Sequence, residues 1–229
     1  RYVPNGSGYT VMPGQASFVA PTAAAINVAV GDDIAQLVPF SGTFPYYGFG
    51  VSSFGVYSNG YVATGLGNSV SPSFPVATML GASLTAWGCH HDFVPTGGSN
   101  GNVKFQQIGQ VVYVTWAAVR DFSGPGVSTW QMQFDLTNGV VTCVWQSMST
   151  TGSSPYLVFH SPGGAMSLDP RRGGSGAEGL GGYAALPEGD EGREQRRREQ
   201  RGSTHREGVA RSAAGGQAPL PRSRRCYHV

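Results

Sequence analysis

Residues 129–146, Thr129-Trp130-Gln131-Met132-Gln133-Phe134-Asp135-Leu136-Thr137-Asn138-Gly139-Val140-Val141-Thr142-Cys143-Val144-Trp145-Gln146, decide the fold. Trp130, Met132 and Phe134 alternate with Gln131, Gln133 and Asp135. Successive side chains of a strand point to opposite faces, so this period of two predicts a half-buried strand, Thr129–Asp135, with one dry and one wet face. Asn138-Gly139 follows, and both residue types tolerate positive φ, which predicts a tight turn and a partner strand over Val140–Gln146.

The same grammar extends outward. Val103–Ile108 and Val111–Val119 flank the turn dipeptide Gly109-Gln110, so residues 102–146 are expected as a four-stranded antiparallel meander. Phe54–Ser58 and Tyr61–Thr64 flank Asn59-Gly60 as an earlier hairpin. Weaker strand signals lie at Gly8–Met12, Ser17–Ala20, Ile34–Phe40, Phe44–Tyr47, Ala82–Gly88 and Tyr156–His160, and Pro72 and Pro75 mark a long loop. Together they predict an all-β domain, an antiparallel two-sheet β-sandwich of jelly-roll type, over residues 8–169. Residues 1–7 read as an N-terminal lead-in and 170–229 as a disordered tail.

Charge divides the chain at the same place. Residues 1–169 hold one Lys, two Arg, six Asp and no Glu, a net of −3. Helix surfaces normally use Glu and Lys heavily, so this composition argues against a helical domain, and it excludes any hydrolase resting on a Glu pair. Three cations cannot neutralise a run of phosphates, which excludes a nucleic-acid partner, and the short apolar runs contain no membrane span. Residues 170–229 carry 12 Arg, seven acids, no Phe and no Ile, too little apolar surface to offset chain entropy. Its Arg, Gly, Ala and Pro without Lys is also the product expected when GC-rich DNA is read out of frame, so a frameshifted continuation from about Arg171 is the competing reading.

In chain order the residues run Phe44-Pro45-Tyr46-Tyr47-Gly48, Val56-Tyr57-Ser58-Asn59-Gly60-Tyr61-Val62, Trp87 to Asp92, Gly101-Asn102-Val103-Lys104-Phe105, Val112-Tyr113-Val114-Thr115-Trp116 and Thr129 to Phe134. This order resembles the NIDO-type extracellular β-sandwich of nidogens and mucin-like surface proteins, and more so a group of uncharacterised exported bacterial proteins. That group also shows starts like Gly8–Gly14 and a Gly-Asp-Asp step like Gly31–Asp33. The resemblance implies a non-catalytic, secreted or cell-surface module at roughly residues 8–169. The chain departs from the pattern at Trp87-Gly88-Cys89-His90-His91-Asp92, where an acid normally follows Trp closely, and in its Arg-rich tail.

Candidate chemistry is sparse. His90, His91 and Asp92 are metal-ligand types, but in a strand only alternate members converge, so His90 with Asp92 or Cys89 with His91 would make half a site. Against this stands a loop end with Asp92 bonding local N–H groups. Asp32-Asp33 can hold Ca²⁺ or act as a dyad, and the competing reading is a turn whose acids cap backbone N–H groups. No D-x-D-x-D-G loop supports calcium, so no cofactor is expected, with calcium at this acidic pair as the alternative. Cys89 and Cys143 are expected either as two buried thiols or, after export, as a disulfide pair. Trp87, Trp116, Trp130 and Trp145 sit at core-like strand positions. Tyr46, Tyr47 and Phe49 near Pro45 are the candidate exposed ligand surface, against packing under a loop.

The expectation is a non-catalytic binding or adhesion module of an exported or cell-surface protein, whose partner is a surface or matrix protein or a glycan. Two alternatives stand beside it: a carbohydrate-active or hydrolytic sandwich using Asp92, His91 or Asp32, and a purely structural surface component. Convergence of any two of His90, His91, His160, Asp32, Asp33 and Asp92 in a pocket separates the enzyme from the binding module.

Overall fold

The alternation at residues 129–135 produces the strand it predicts, in the middle of one of two sheets. The computed structural model describes residues 1–6, 8–71, 81–149 and 155–163 and the backbone of 227–228. Its strands are β1 (Tyr2–Pro4), β2 (Tyr9–Val11), β3 (Ile26–Val28), β4 (Ala35–Tyr46), β5 (Phe49–Tyr57), β6 (Tyr61–Ala63), β7 (Ala86–His90), β8 (Asn102–Ile108), β9 (Val111–Arg120), β10 (Val127–Asp135), β11 (Val141–Ser147), β12 (Leu157–Ser161) and β13 (Tyr227–His228). The first sheet has the order β2-β1-β11-β10-β9-β8-β3, and the second β13-β12-β7-β6-β5-β4. All pairings are antiparallel except the short β12–β13 contact. The all-β two-sheet expectation therefore holds, and the meander of residues 102–146 is β8-β9-β10-β11.

Dry faces of the two sheets meet in an aromatic core. Phe134 of β10 lies 4.5 Å from Phe54 and 5.5 Å from Phe44, ring centre to ring centre, and 5.9 Å from Trp87. Trp116 and Trp130 stack at 4.2 Å, and the Trp116 indole donates to Ser58 O across the sandwich. Each such side chain contributes roughly 1.5–3 kcal/mol by leaving water.

Both outer faces are also covered. On the first sheet, Ser17 O and the Val19 and Thr22 main chains bond to side chains of Gln133, Gln131 and Gln106. Residues 17–22 thus lie as a strap over the glutamines. On the second sheet, Tyr57, Tyr61, Ala63, Ala86, Leu157 and Phe159 form a separate cluster. The Tyr57 hydroxyl accepts from the N–H groups of Gly67 and Asn68, and the Tyr61 hydroxyl donates to Ser69 O.

Several expectations need correction. Ser17–Ala20 is not a strand, because its main chain bonds to side chains, and the face of β10 expected to be wet is dry at Gln131, which is fully buried. Ile34–Phe40 and Phe44–Tyr47 are one strand, β4, with a register shift between Pro39 and Phe44. Phe54–Ser58 extends back to Phe49, and Ala82–Gly88 moves to Ala86–His90. Within the expected lead-in, Tyr2–Pro4 joins the first sheet, and Tyr2 is buried with its hydroxyl donating to Phe159 O. Trp145 is 44% exposed rather than core. Cys89 and Cys143 are not joined by a disulfide. The expectations for Pro72, Pro75 and the tail fall outside the described residues, apart from the backbone of Tyr227–His228.

Candidate functional site

Asn59 organises the acidic site. It sits in the β5–β6 turn, where Gly60 takes φ +88°. Ser58 N donates to Ile34 O, and Ile34 N to the Ser58 hydroxyl, which pins the loop before β4 to that turn. Asn59 is buried and spends its amide on three segments. Its Nδ2 donates to Asp33 Oδ1 at 2.6 Å and to Val70 O at 3.0 Å, and its Oδ1 accepts from Phe93 N at 3.0 Å.

The result brings Asp92 to the acidic pair. Carboxylate oxygens of Asp32, Asp33 and Asp92 all lie within 4.8 Å of one another. Burial, and then the charges of Asp32, Asp33 and Asp121, push the Asp92 carboxyl up to about 6. Asp32 is raised in the same way, by burial first and by Asp33 second. Three oxygen donors of this kind suit a hard cation such as Ca²⁺, or share a proton among themselves.

The triplet His90-His91-Asp92 disperses to three places. His90 ends β7 on the outer face of the second sheet, 6.3 Å from the Tyr61 ring, and burial pulls its pKa down to about 4. His91 leaves the strand, stacks on Tyr156 at 4.2 Å and places Nε2 3.2 Å from Asp121 Oδ1, both side chains being 1% exposed. Ser149 Oγ donates to the other oxygen of Asp121 at 2.8 Å. Among the described residues the group of three that could hold a cation is Asp32, Asp33 and Asp92, and neither histidine belongs to it.

The candidate ligand surface is the β4–β5 hairpin tip. Phe49 is 62% exposed, whereas Tyr46 and Tyr47 are half-buried, a correction to their expected exposure. Tyr46 touches Tyr47 and Phe49 at 6.3 and 6.0 Å. Tyr47 takes φ +48°, unfavourable for a bulky residue, and its hydroxyl meets His160 Nε2 at 2.5 Å. His160 bonds Ala86 O through Nδ1 and stacks on Trp87, and burial lowers its pKa to about 4. Its Nδ1 is therefore the donor, and the Tyr47 hydroxyl donates to Nε2.

Sequence reading missed two of these residues. Asn59 reads as an ordinary turn residue, and Asp121 opens a loop 30 positions from the histidine it meets; only the three-dimensional pairing reveals either role. Comparison with protein-family models, curated proteins and solved structures finds no match to this chain.

Proposed function

We propose that this chain is a non-catalytic, NIDO-like binding or adhesion module of an exported or cell-surface protein, taking a surface or matrix protein or a glycan at the β4–β5 tip. The observation that carries this reading is the tip itself. Phe49 stands in solvent on a base of two tyrosines, one of them held through His160. Fixed aromatic rings lose little side-chain entropy on contact and offer both stacking and apolar area. The arrangement at Asp121 also favours a non-catalytic reading. Its carboxylate stands between the Ser149 hydroxyl and the His91 imidazole, whereas a hydrolytic relay needs the imidazole between the other two.

Binding of the wild type and of Phe49→Ala to a glycan array and to immobilised matrix proteins tests the reading. We expect Phe49→Ala to lose binding while its melting temperature moves little. Equal binding by both proteins, or none by the wild type, defeats it, and the second result leaves a purely structural component.

One observation favours a second reading. A carboxyl raised to about 6 beside two other carboxylates is how a general acid is paired with a base, so the hydrolytic alternative rests on Asp92 with Asp32 or Asp33, and not on His91. Hydrolysis of chromogenic glycosides that disappears in Asp92→Asn would establish it. The calcium expectation concerns the same cluster: millimolar calcium should raise the melting temperature of the wild type but not of Asp33→Asn, and the absence of a shift removes calcium.

A further inference from the structure

Asn-Gly occurs four times, at Asn5-Gly6, Asn59-Gly60, Asn100-Gly101 and Asn138-Gly139. All four glycines take positive φ, the conformation for which this dipeptide suits turns. The dipeptide also carries a reaction of its own. The glycine nitrogen, with no side chain beside it, can attack the side-chain carbonyl of the preceding asparagine. It does so only where it is free to approach.

The fold ties this nitrogen down in three of the four. Gly60 N donates to Tyr57 O at 3.2 Å, Gly101 N to Gly98 O at 3.3 Å and Gly139 N to Asp135 O at 2.9 Å. These three glycines are buried, and a Cβ on them would collide with Cys89 O, Ala118 O and Pro45 O respectively. Their asparagines are held as well. The Asn59 amide bonds to three segments, Asn100 Nδ2 donates to Thr96 Oγ1, and Asn138 both accepts from Val140 N and donates to Asp135.

Asn5-Gly6 differs on every count. It lies in the β1–β2 turn, beyond the end of β1 that is farther from Arg1. Both residues are exposed, and a Cβ on Gly6 would meet nothing within 4 Å. Among the described residues no group accepts from Gly6 N. The Asn5 amide is held by one exposed bond, Nδ2 to Thr10 Oγ1 at 3.0 Å.

We propose that Asn5 is a site of spontaneous deamidation, the one Asn-Gly of the four that reacts in the folded protein. Gly6 N gives its proton to water and bonds to Asn5 Cγ. The Cγ–Nδ2 bond breaks, Nδ2 leaves as ammonia with a proton from solvent, and a cyclic imide remains. Water opens the imide at either carbonyl, which yields aspartate or, with the main chain rerouted through Cγ, isoaspartate. The product carries a new negative charge and loses the amide donor to Thr10. The turn abuts the aromatic tip: a Cβ on Gly8 would lie 3.8 Å from Tyr47 Cε1, and Tyr9 packs edge-on against Tyr47 at 5.5 Å. The protein thus acquires, with time, a carboxylate beside an otherwise uncharged cluster of rings.

Peptide mapping by mass spectrometry, on the full chain aged at mildly alkaline pH, tests this. The exchange of NH2 for OH should appear first in the peptide carrying Asn5. It should lead the other three by roughly tenfold or more, because they react only after local opening. In urea, where that protection is gone, all four should react at similar rates. Isoaspartyl methyltransferase should label the aged wild type, and aged Asn5→Gln, whose longer side chain closes the ring poorly, should lack this early label. Native rates at Asn59, Asn100 or Asn138 that match Asn5 overturn the proposal, as does the same ranking in urea as in the native protein. So does an Asn5 that reacts in urea but stays intact in the folded chain.

Discussion

The two sheets cover their outer faces by opposite chemistry. The first sheet presents glutamines, and the strap of residues 17–22 completes its hydrogen bonds on their side-chain amides. The second presents stacked tyrosines, Tyr57 and Tyr61 at 4.0 Å, whose hydroxyls reach the main chain of residues 65–69. One cover rests on polar groups standing in for a neighbouring strand, the other on apolar area with polar tips. The difference shows that a polar row in a strand does not by itself mean a solvent-facing row.

The sharpest way to break the comparison is to remove a tyrosine. Tyr61→Ala deletes the centre of the second cover and should cost about 3–5 kcal/mol in chemical denaturation. Gln131→Leu should cost less, about 1–3 kcal/mol, because it strands the Val19 N–H and C=O and the Thr115 hydroxyl. If Gln131→Leu proves the costlier of the two, the ranking of the covers is inverted.

Acid should separate the two covers further. His90 lies in the second cover, and its folded pKa of about 4 is below the ordinary 6.5. The unfolded chain then binds the extra proton, so its contribution is fully present above about pH 6.5 and is lost as pH falls toward 4. His160 acts in the same direction. Asp92 acts oppositely: its raised pKa makes the folded state hold a proton that the unfolded state has lost, so its contribution falls as pH rises from about 4 to about 6. Asp32 is raised in the same direction but is exposed and adds little, so the two buried histidines outweigh the carboxyls, and stability should rise with pH across this window, more steeply in Asp92→Asn. Amide exchange at pH 4.5 should speed up at residues 65–71 before 17–22, since the glutamines do not titrate. Equal acceleration of both segments would erase the distinction.

Much of this was legible in the sequence where one local rule decided the outcome. The alternation in β10 and the Gly109-Gln110 turn, with Gly109 at φ +58°, needed only neighbours. The strap was not legible, because Ser17–Ala20 and Gln131 each obey a strand rule, yet a side-chain amide can take the place of a main-chain one. The site was half legible. Asp32, Asp33 and Asp92 do converge, but the histidines beside Asp92 were carried elsewhere by Tyr61 and by Tyr156 with Asp121, contacts that no spacing encodes.

The strap also has a mechanical side. Its clasps come in order along the chain, Ser17 on Gln133, Val19 on Gln131, then Thr22 on Gln106. Tension arriving from the N-terminal side would load them one at a time, as a seam is opened stitch by stitch, and not all together as in a sheared ladder. The first sheet would thus shed its cover in small graded steps while the aromatic interior stayed closed. Such a seam would give way before the β8–β11 meander beneath it felt the load.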